Sequence, residues 1–132
     1  GLDLSVGMLS EARRLTGASL IQADMRSLPV RSSTMAAIWC CAALLHLPKR
    51  EAPTAISEFQ RVLRPGGLLF LGVQQGIHDA PRYSQSVVRH FADYLPHEME
   101  DHLRRVGLTL VDQSTTVTGS VSWLQTVARK AA

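Results

Sequence analysis

The chain of 132 residues is 45% apolar and 19% charged, a composition that suits one soluble globular domain and argues against a disordered chain. Its longest apolar run, Met35 to Leu45, is well short of the ~18 residues that span a bilayer, and no charged segment leads into an apolar stretch at the start, so neither a membrane span nor a signal peptide is expected. The net charge of +3 is spread over scattered pairs such as Arg13-Arg14 and Arg104-Arg105 rather than a stripe with interleaved aromatics, which argues against a nucleic-acid partner.

Gly1 to Leu4 reads as a short strand, and Ser5 as the N-cap of a helix from about Gly7 to Leu15. Met8, Leu9, Ala12 and Leu15 recur at helical spacing, and Thr16-Gly17 ends the helix. Leu20 to Gln22 is a second short strand, and Asp24 to Ser33 a loop. Met35 to Cys41 is apolar without alternation, the pattern of a strand buried on both faces of a parallel sheet. Its last two residues are the only cysteines. Neighbours on a strand point opposite ways, so Cys40 and Cys41 make poor disulfide or metal partners, and a reducing, cytoplasmic setting is expected.

A second helix is expected from about Glu51 to Leu63, burying Ala52, Ala55, Ile56, Phe59, Val62 and Leu63. Pro65-Gly66-Gly67 stops it, and Leu68 to Val73 reads as another doubly buried strand. Gln74 to Tyr83 reads as a long loop, His90 to Tyr94 as a short extended piece, and Pro96 as the first position of a helix that ends at Gly107. Leu108 to Asp112 and Val121 to Ala128 are the last strands, joined by the polar turn around Thr118-Gly119-Ser120 as an antiparallel hairpin at one edge. Strands alternating with amphipathic helices imply one α/β domain over residues 1–132, an open, mostly parallel sheet with helices on both faces.

In such sheets ligands bind beyond the carboxyl ends of the strands. Asp3 stands at one of those ends. Its carboxylate can accept from both hydroxyls of a ribose, or it is a strand-end cap. At a second end, Asp24 can accept from an exocyclic amine while the N–H of Met25 donates to a ring nitrogen, which would read an adenine edge; the alternative is a turn aspartate. His46 lies near the presumed cleft as a candidate general base, or as a histidine packed at a helix start. His97 and His102 are five apart rather than the four of a zinc helix, so no metal site is expected.

Five segments carry a resemblance when taken together. They are Gly1 to Arg13 (GLDLSVGMLSEAR), Asp24 to Pro29 (DMRSLP), Ala43 to Pro48 (ALLHLP), Arg61 to Leu71 (RVLRPGGLLFL) and Glu98 to Leu108 (EMEDHLRRVGL). In this order and spacing the chain resembles the class I S-adenosylmethionine-dependent methyltransferases, and most of all their small-molecule, type 11-like branch. The resemblance implies a Rossmann-like fold, S-adenosylmethionine as cofactor and a small molecule as methyl acceptor. It implies that Asp3 binds the cofactor ribose, that Leu4 flanks the adenine, and that Asp24 and Met25 read the adenine edge. Cys41, Ala42 and the residues to Leu44 would line the methyl-donor and substrate cleft.

The resemblance begins at the family's second strand. The family's first strand and Gly-x-Gly-x-Gly loop are not represented in these 132 residues, so an N-terminally truncated domain is expected. Without them the strands at Leu2 and Met35 either pair directly or leave apolar edges open. Losing two hydrogen bonds to the charged cofactor would take a micromolar affinity to roughly millimolar or worse. Met35 and Ala36 also stand where the family has an aromatic-Asp pair. The expected activity is methyl transfer in the full-length protein. The alternatives are a non-catalytic remnant that acts through a partner, and a nicotinamide-binding domain, which would also carry an acidic residue after its second strand. The Asp24-Met25 loop, the Arg64 to Gly67 turn and the terminal hairpin fit the methyltransferases better. No Asn-Pro-Pro-aromatic tetrad, the usual mark of methylation at base amino groups, follows the strand at Ile38. The sequence specifies neither the acceptor nor an oligomeric state.

Overall fold

The computed structural model describes residues 1–84 and 87–132. The chain runs β1 (Leu2–Asp3), α1 (Val6–Leu15), β2 (Ile21–Gln22), β3 (Met35–Cys41), α2 (Ala52–Val62), β4 (Leu63–Gln74), β5 (Asp79–Ser84), β6 (Val87–Ala92), α3 (Pro96–Arg105), β7 (Leu108–Thr118) and β8 (Val121–Lys130). Two 3-10 turns, Leu44–His46 and Lys49–Glu51, join β3 to α2.

The helices begin where their end residues satisfy the first free N–H groups. Ser5 Oγ accepts from the Met8 N–H at 3.3 Å, as expected of the N-cap of α1. At α3 the Glu98 carboxylate reaches back to the Leu95 N–H at 2.8 Å, and Pro96 occupies the first turn, where a missing N–H costs nothing. Ala52, Ala55, Ile56, Phe59 and Val62 are the buried face of α2, the set its periodicity predicts.

The main sheet has the order β3-β4-β8-β7. β3 and β4 are parallel, and β8 is antiparallel to both β4 and β7, so three of the four strands share one direction. β1 pairs parallel with β2 as a separate ladder. This is the mostly parallel α/β architecture with a C-terminal antiparallel hairpin. The last strand is inserted between β4 and β7, leaving β7 at the edge. α2 and α3 cover one face of the sheet, where Ile56, Phe59, Met99 and Leu103 pack on Leu69, Leu71, Leu124 and Ala128.

Three expectations change and one open alternative is decided. β3 is not buried on both faces: only Cys40 is buried, and Trp39 is 74% exposed with its ring stacked on Phe70 at 3.9 Å. The cause is that α2 and α3 lie on one face while α1 packs on β1 and β2. Secondly, β1 and β3 do not pair with each other among the described residues, so of the two arrangements anticipated the open edges are what is found. Thirdly, the stretch from Gln74 to Tyr83 is not all loop. Asp79–Ser84 pairs with Val87–Ala92 as an antiparallel ribbon, which tolerates Pro81 because both its strands are edges. Finally, β4 begins five residues early, with a bulge at Pro65 to Gly67 where the register jumps from Met35–Leu63 to Ala37–Leu68.

Candidate functional site

A cleft of about 860 Å³ opens beyond the carboxyl ends of β1, β2 and β3, within the size range of small-molecule sites. Asp3, Leu4, Ser5 and Met8 form one wall, Ala23 to Arg26 a second, Ala42, Ala43, His46 and Leu47 a third, and Val88 to His90 of the ribbon the last.

Asp3 ends β1. Its Oδ1 accepts from the Ser5 N–H at 2.7 Å, which turns the chain into α1, and its Oδ2 has no partner among the described residues. Asp24 sits in the tight turn after β2 and is more engaged than its sequence suggests. Its Oδ1 accepts from the backbone N–H of Arg26 at 2.8 Å, and both oxygens are forked by the Arg26 guanidinium, with Nε 3.0 Å from each. The side-chain bond to Arg26 holds the Asp24 carboxyl below the usual carboxylate range, and the same pair, with Glu51 on the far side of Arg26, raises the arginine. The N–H of Met25 makes no hydrogen bond among the described residues, while its side chain packs on the core. Arg26 Nη2 also donates to Oδ2, so four contacts from Arg26 meet the Asp24 carboxylate and an incoming amine would share its oxygens with Arg26, next to the free Met25 donor.

β3 ends at Cys41, and Ala42 turns the chain with φ of 53°, a left-handed conformation uncommon for a residue with a Cβ. The Ala42 N–H donates to Gly72 O at 2.8 Å, so the turn is held by β4. Of the two residues expected together in the cleft, Ala42 lines it and Cys41 does not. The side chain of Cys41 lies on the open sheet face against Gly72, because alternate strand positions face opposite ways. Cys40 faces the core, and burial pushes its thiol up to about 11.

His46 lies in the 3-10 turn after β3. Its Nδ1 is 3.0 Å from His90 O, and its ring meets Phe91 edge-on with centroids 4.8 Å apart. His90 itself bonds Asp79 Oδ1 at 2.6 Å, and Asp79 also accepts from the Lys49 N–H. Burial opposes ionisation of Asp79, but these two donors hold its carboxyl below the usual range. Val88, Arg89 and His90 reach the cleft only because β6 pairs with β5 and packs on the 3-10 turn. No spacing in the sequence signals this, so these residues were not anticipated.

Leu4, Met8 and Ala43 offer apolar surface between two carboxylates, beside an unpaired backbone donor. That is a donor and acceptor set for a nucleoside: a diol at Asp3, an amine and a ring nitrogen at Asp24 and Met25.

The family model described as a methyltransferase domain matches residues 1–67. The malonyl-[acyl-carrier protein] O-methyltransferase of Enterobacter lignolyticus is 39% identical over 69 residues, which are 52% of this chain and 27% of that protein. The chain thus spans about a quarter of the length of that relative. The solved 1,6-didemethyltoxoflavin-N1-methyltransferase of Burkholderia thailandensis, which holds its substrate and S-adenosylhomocysteine, superposes on 99% of this chain and 60% of its own, with TM-score 0.78 and 19% identity. A SAM-dependent methyltransferase structure from Methanosarcina mazei gives TM-score 0.82 at 17% identity over 99% of this chain and 81% of its own. At these identities the two structures show a shared fold.

Proposed function

This chain belongs to the methyltransferase domain family, and we propose that it forms part of an enzyme that transfers a methyl group from S-adenosylmethionine to a small-molecule acceptor. The observation that carries the reading is the pairing of Asp3 with the Asp24-Met25 turn across one cleft at the strand ends. The cofactor, when bound, supplies an electrophilic methyl group on a sulfonium.

The chain's own residues bind and align it. The Oδ2 of Asp3 accepts from the ribose, and Leu4 covers the adenine. Asp24 and the Met25 N–H read the adenine edge, and the turn at Ala42 and Ala43 borders the methyl and acceptor end. Methyl transfer needs a nucleophile held in line, so most of the rate would come from proximity and alignment. Asp24 is pre-organised for its part, since Arg26 fixes its carboxylate before any ligand arrives. The unpaired cysteines on opposite faces of β3 support placing the protein in a reducing compartment, the cytoplasm.

Titration of the chain with S-adenosylhomocysteine, followed by backbone amide shifts, tests the reading at any affinity down to millimolar. Shifts should concentrate at Asp3, Leu4, Asp24, Met25 and Ala42. Asp3→Asn, which keeps an acceptor for the Ser5 N–H, should weaken binding roughly 10- to 100-fold, the scale of a hydrogen bond to a charged group. If shifts are absent or scattered, the cofactor reading fails, and a methyltransferase-like fold acting through a partner takes its place.

A further inference from the structure

We propose that Arg89 is the anion anchor of this cleft, and that the methyl acceptor carries a carboxylate or phosphate group held by its guanidinium. The inference deepens the methyl-transfer reading and rests on it. The charged side chains lining the cleft are Asp3, Asp24, Arg26 and Arg89, with His46 and His90 beside them. Most are already answered. Arg26 is forked on Asp24 and reaches Glu51, and His90 bonds Asp79. Lys49 and Arg82, which brace the surrounding walls, each hold a carboxylate, Glu98 and Asp93. Arg89 is exposed, lines the cleft, and has no hydrogen bond or salt bridge among the described residues.

The register of the ribbon sets which way Arg89 faces. Arg89 stands directly opposite Arg82 in the antiparallel ladder, and Phe91 is two residues along the same strand, so all three side chains share one face. The Arg82 guanidinium lies over the Phe91 ring at 4.5 Å, as that sharing requires. The Phe91 ring meets His46 edge-on, and His46 lines the cleft. Arg89 therefore stands on the face of β6 that packs on the third wall, the one carrying Ala42 and Ala43. Two guanidinium groups directly opposite each other repel. The charge of Arg82 is answered by Asp93, at 3.2 and 3.3 Å, and by Gln74 Oε1 at 3.0 Å. The charge left over on this face is that of Arg89, at the cleft.

A guanidinium presents parallel N–H donors that fit two oxygens of a carboxylate or phosphate, and a cleft wall, with less water around it than an open surface, strengthens the attraction. In the methyl-transfer reading the nucleoside takes Asp3, Asp24 and the Met25 N–H, on other walls than the ribbon. The group that meets the ribbon is then the acceptor. Its anion on Arg89 fixes the orientation in which its nucleophile faces the methyl carbon. The amino-acid carboxylate of the cofactor is the other oxyanion that the reaction brings to the cleft, and the two sources are separable by titration.

Amide-shift titrations of the chain at fixed ionic strength with benzoate, phenyl phosphate and neutral benzamide decide the point. At least one of the two anions should bind about 10-fold tighter than benzamide, the scale of a hydrogen bond to a charged group, with shifts gathered at Ala43, His46, Val88, Arg89 and His90. Arg89→Gln should erase that preference while the other amides of β5 and β6 keep their positions. Arg129→Gln, which removes an exposed arginine of β8 outside this cleft, should leave the preference intact. Equal binding of the anions and benzamide, or a preference that survives Arg89→Gln, overturns the inference. S-Adenosylhomocysteine and methylthioadenosine, which lacks the amino-acid group, identify the source. If Arg89→Gln weakens the first and spares the second, Arg89 holds the cofactor's own carboxylate and the assignment to the acceptor falls. If it spares both, the assignment stands. Unshifted amides at Asp3 and Met25 with either ligand instead overturn the methyl-transfer reading and the acceptor assignment with it, while the anion comparison still decides whether Arg89 is an anion site.

Discussion

Ala42 concentrates the local strain of the site in one residue. A left-handed conformation costs an L-residue about 1–2 kcal/mol, while glycine there would forfeit about 0.4–1 kcal/mol through its freer unfolded chain. Ala42→Gly is therefore expected to be neutral or to stabilise by up to about 1.6 kcal/mol in urea unfolding. Ala42→Val should destabilise, because branching at Cβ worsens the same clash. Gly67 shows the opposite constraint. A Cβ at Gly67 would sit 2.8 Å from Arg64 O and 3.2 Å from Ala36 O, both backbone atoms that cannot turn aside. Gly67→Ala should lower stability by about 1–3 kcal/mol, and an unchanged unfolding midpoint would contradict this account of the bulge. Gly66, next to it, is needed for its backbone instead, with φ of 75° and open space around it.

Among the elements, α2 does more than bury its apolar stripe. Arg61, on its last turn, donates to Glu58, to Leu28 O, to Val30 O and to Ser32 Oγ, while Glu58 accepts the Leu28 N–H at 2.7 Å. The side-chain bond to Arg61 keeps the Glu58 carboxyl below its ordinary range. One helix turn thus ties down the loop that carries the chain from Asp24 to β3. Arg61→Ala should speed amide exchange at Leu28, Ser33 and Thr34 while leaving the amides of β4 protected; uniform change across both would mean a global effect instead. The resemblance marks the run from Arg61 to Leu71 as a signature of the fold. What the structure adds is the reason for its arginine, the set of carbonyls across the loop. Their identity was not legible, because they lie about thirty residues away along the chain.

For the whole molecule, the response to acid follows from groups that folding keeps from protonating. His102 lies edge-on to Tyr94 with ring centroids 6.1 Å apart, and burial, with Arg105 second, lowers its pKa. The unfolded chain therefore takes up this proton more readily. The stability that neutral His102 contributes is complete above the ordinary histidine value of about 6.5 and is lost as pH falls through the lowered folded value. Asp24, Glu58, Asp79 and Glu98 are lowered too, and their contribution is lost further down, below the ordinary carboxylate range of about 3.9–4.3. Urea midpoints measured against pH should fall in two steps. His102→Phe should remove the upper step and leave the lower one; an upper step that survives the substitution would assign it to another group.

The sequence by itself determined the three helices, the alternation of strands with helices over most of the chain, and the family. Each rests on local signals: a 3.6-residue stripe in α2, Ser5 before α1, Pro96 opening α3, an aspartate where a strand ends. Only the tertiary structure decided what depends on residues distant in the chain. It placed β8 between β4 and β7, left Trp39 on an open face, and turned Cys41 away from the cleft while Ala42 entered it. It bound Asp24 to Arg26, a pairing the sequence permits but does not require. It also seated Nδ1 of His46 against a carbonyl 44 residues away. The physical reason is that periodicity reports which side of an element is apolar, whereas a site is made by which elements meet, and that is settled by non-local pairing and packing.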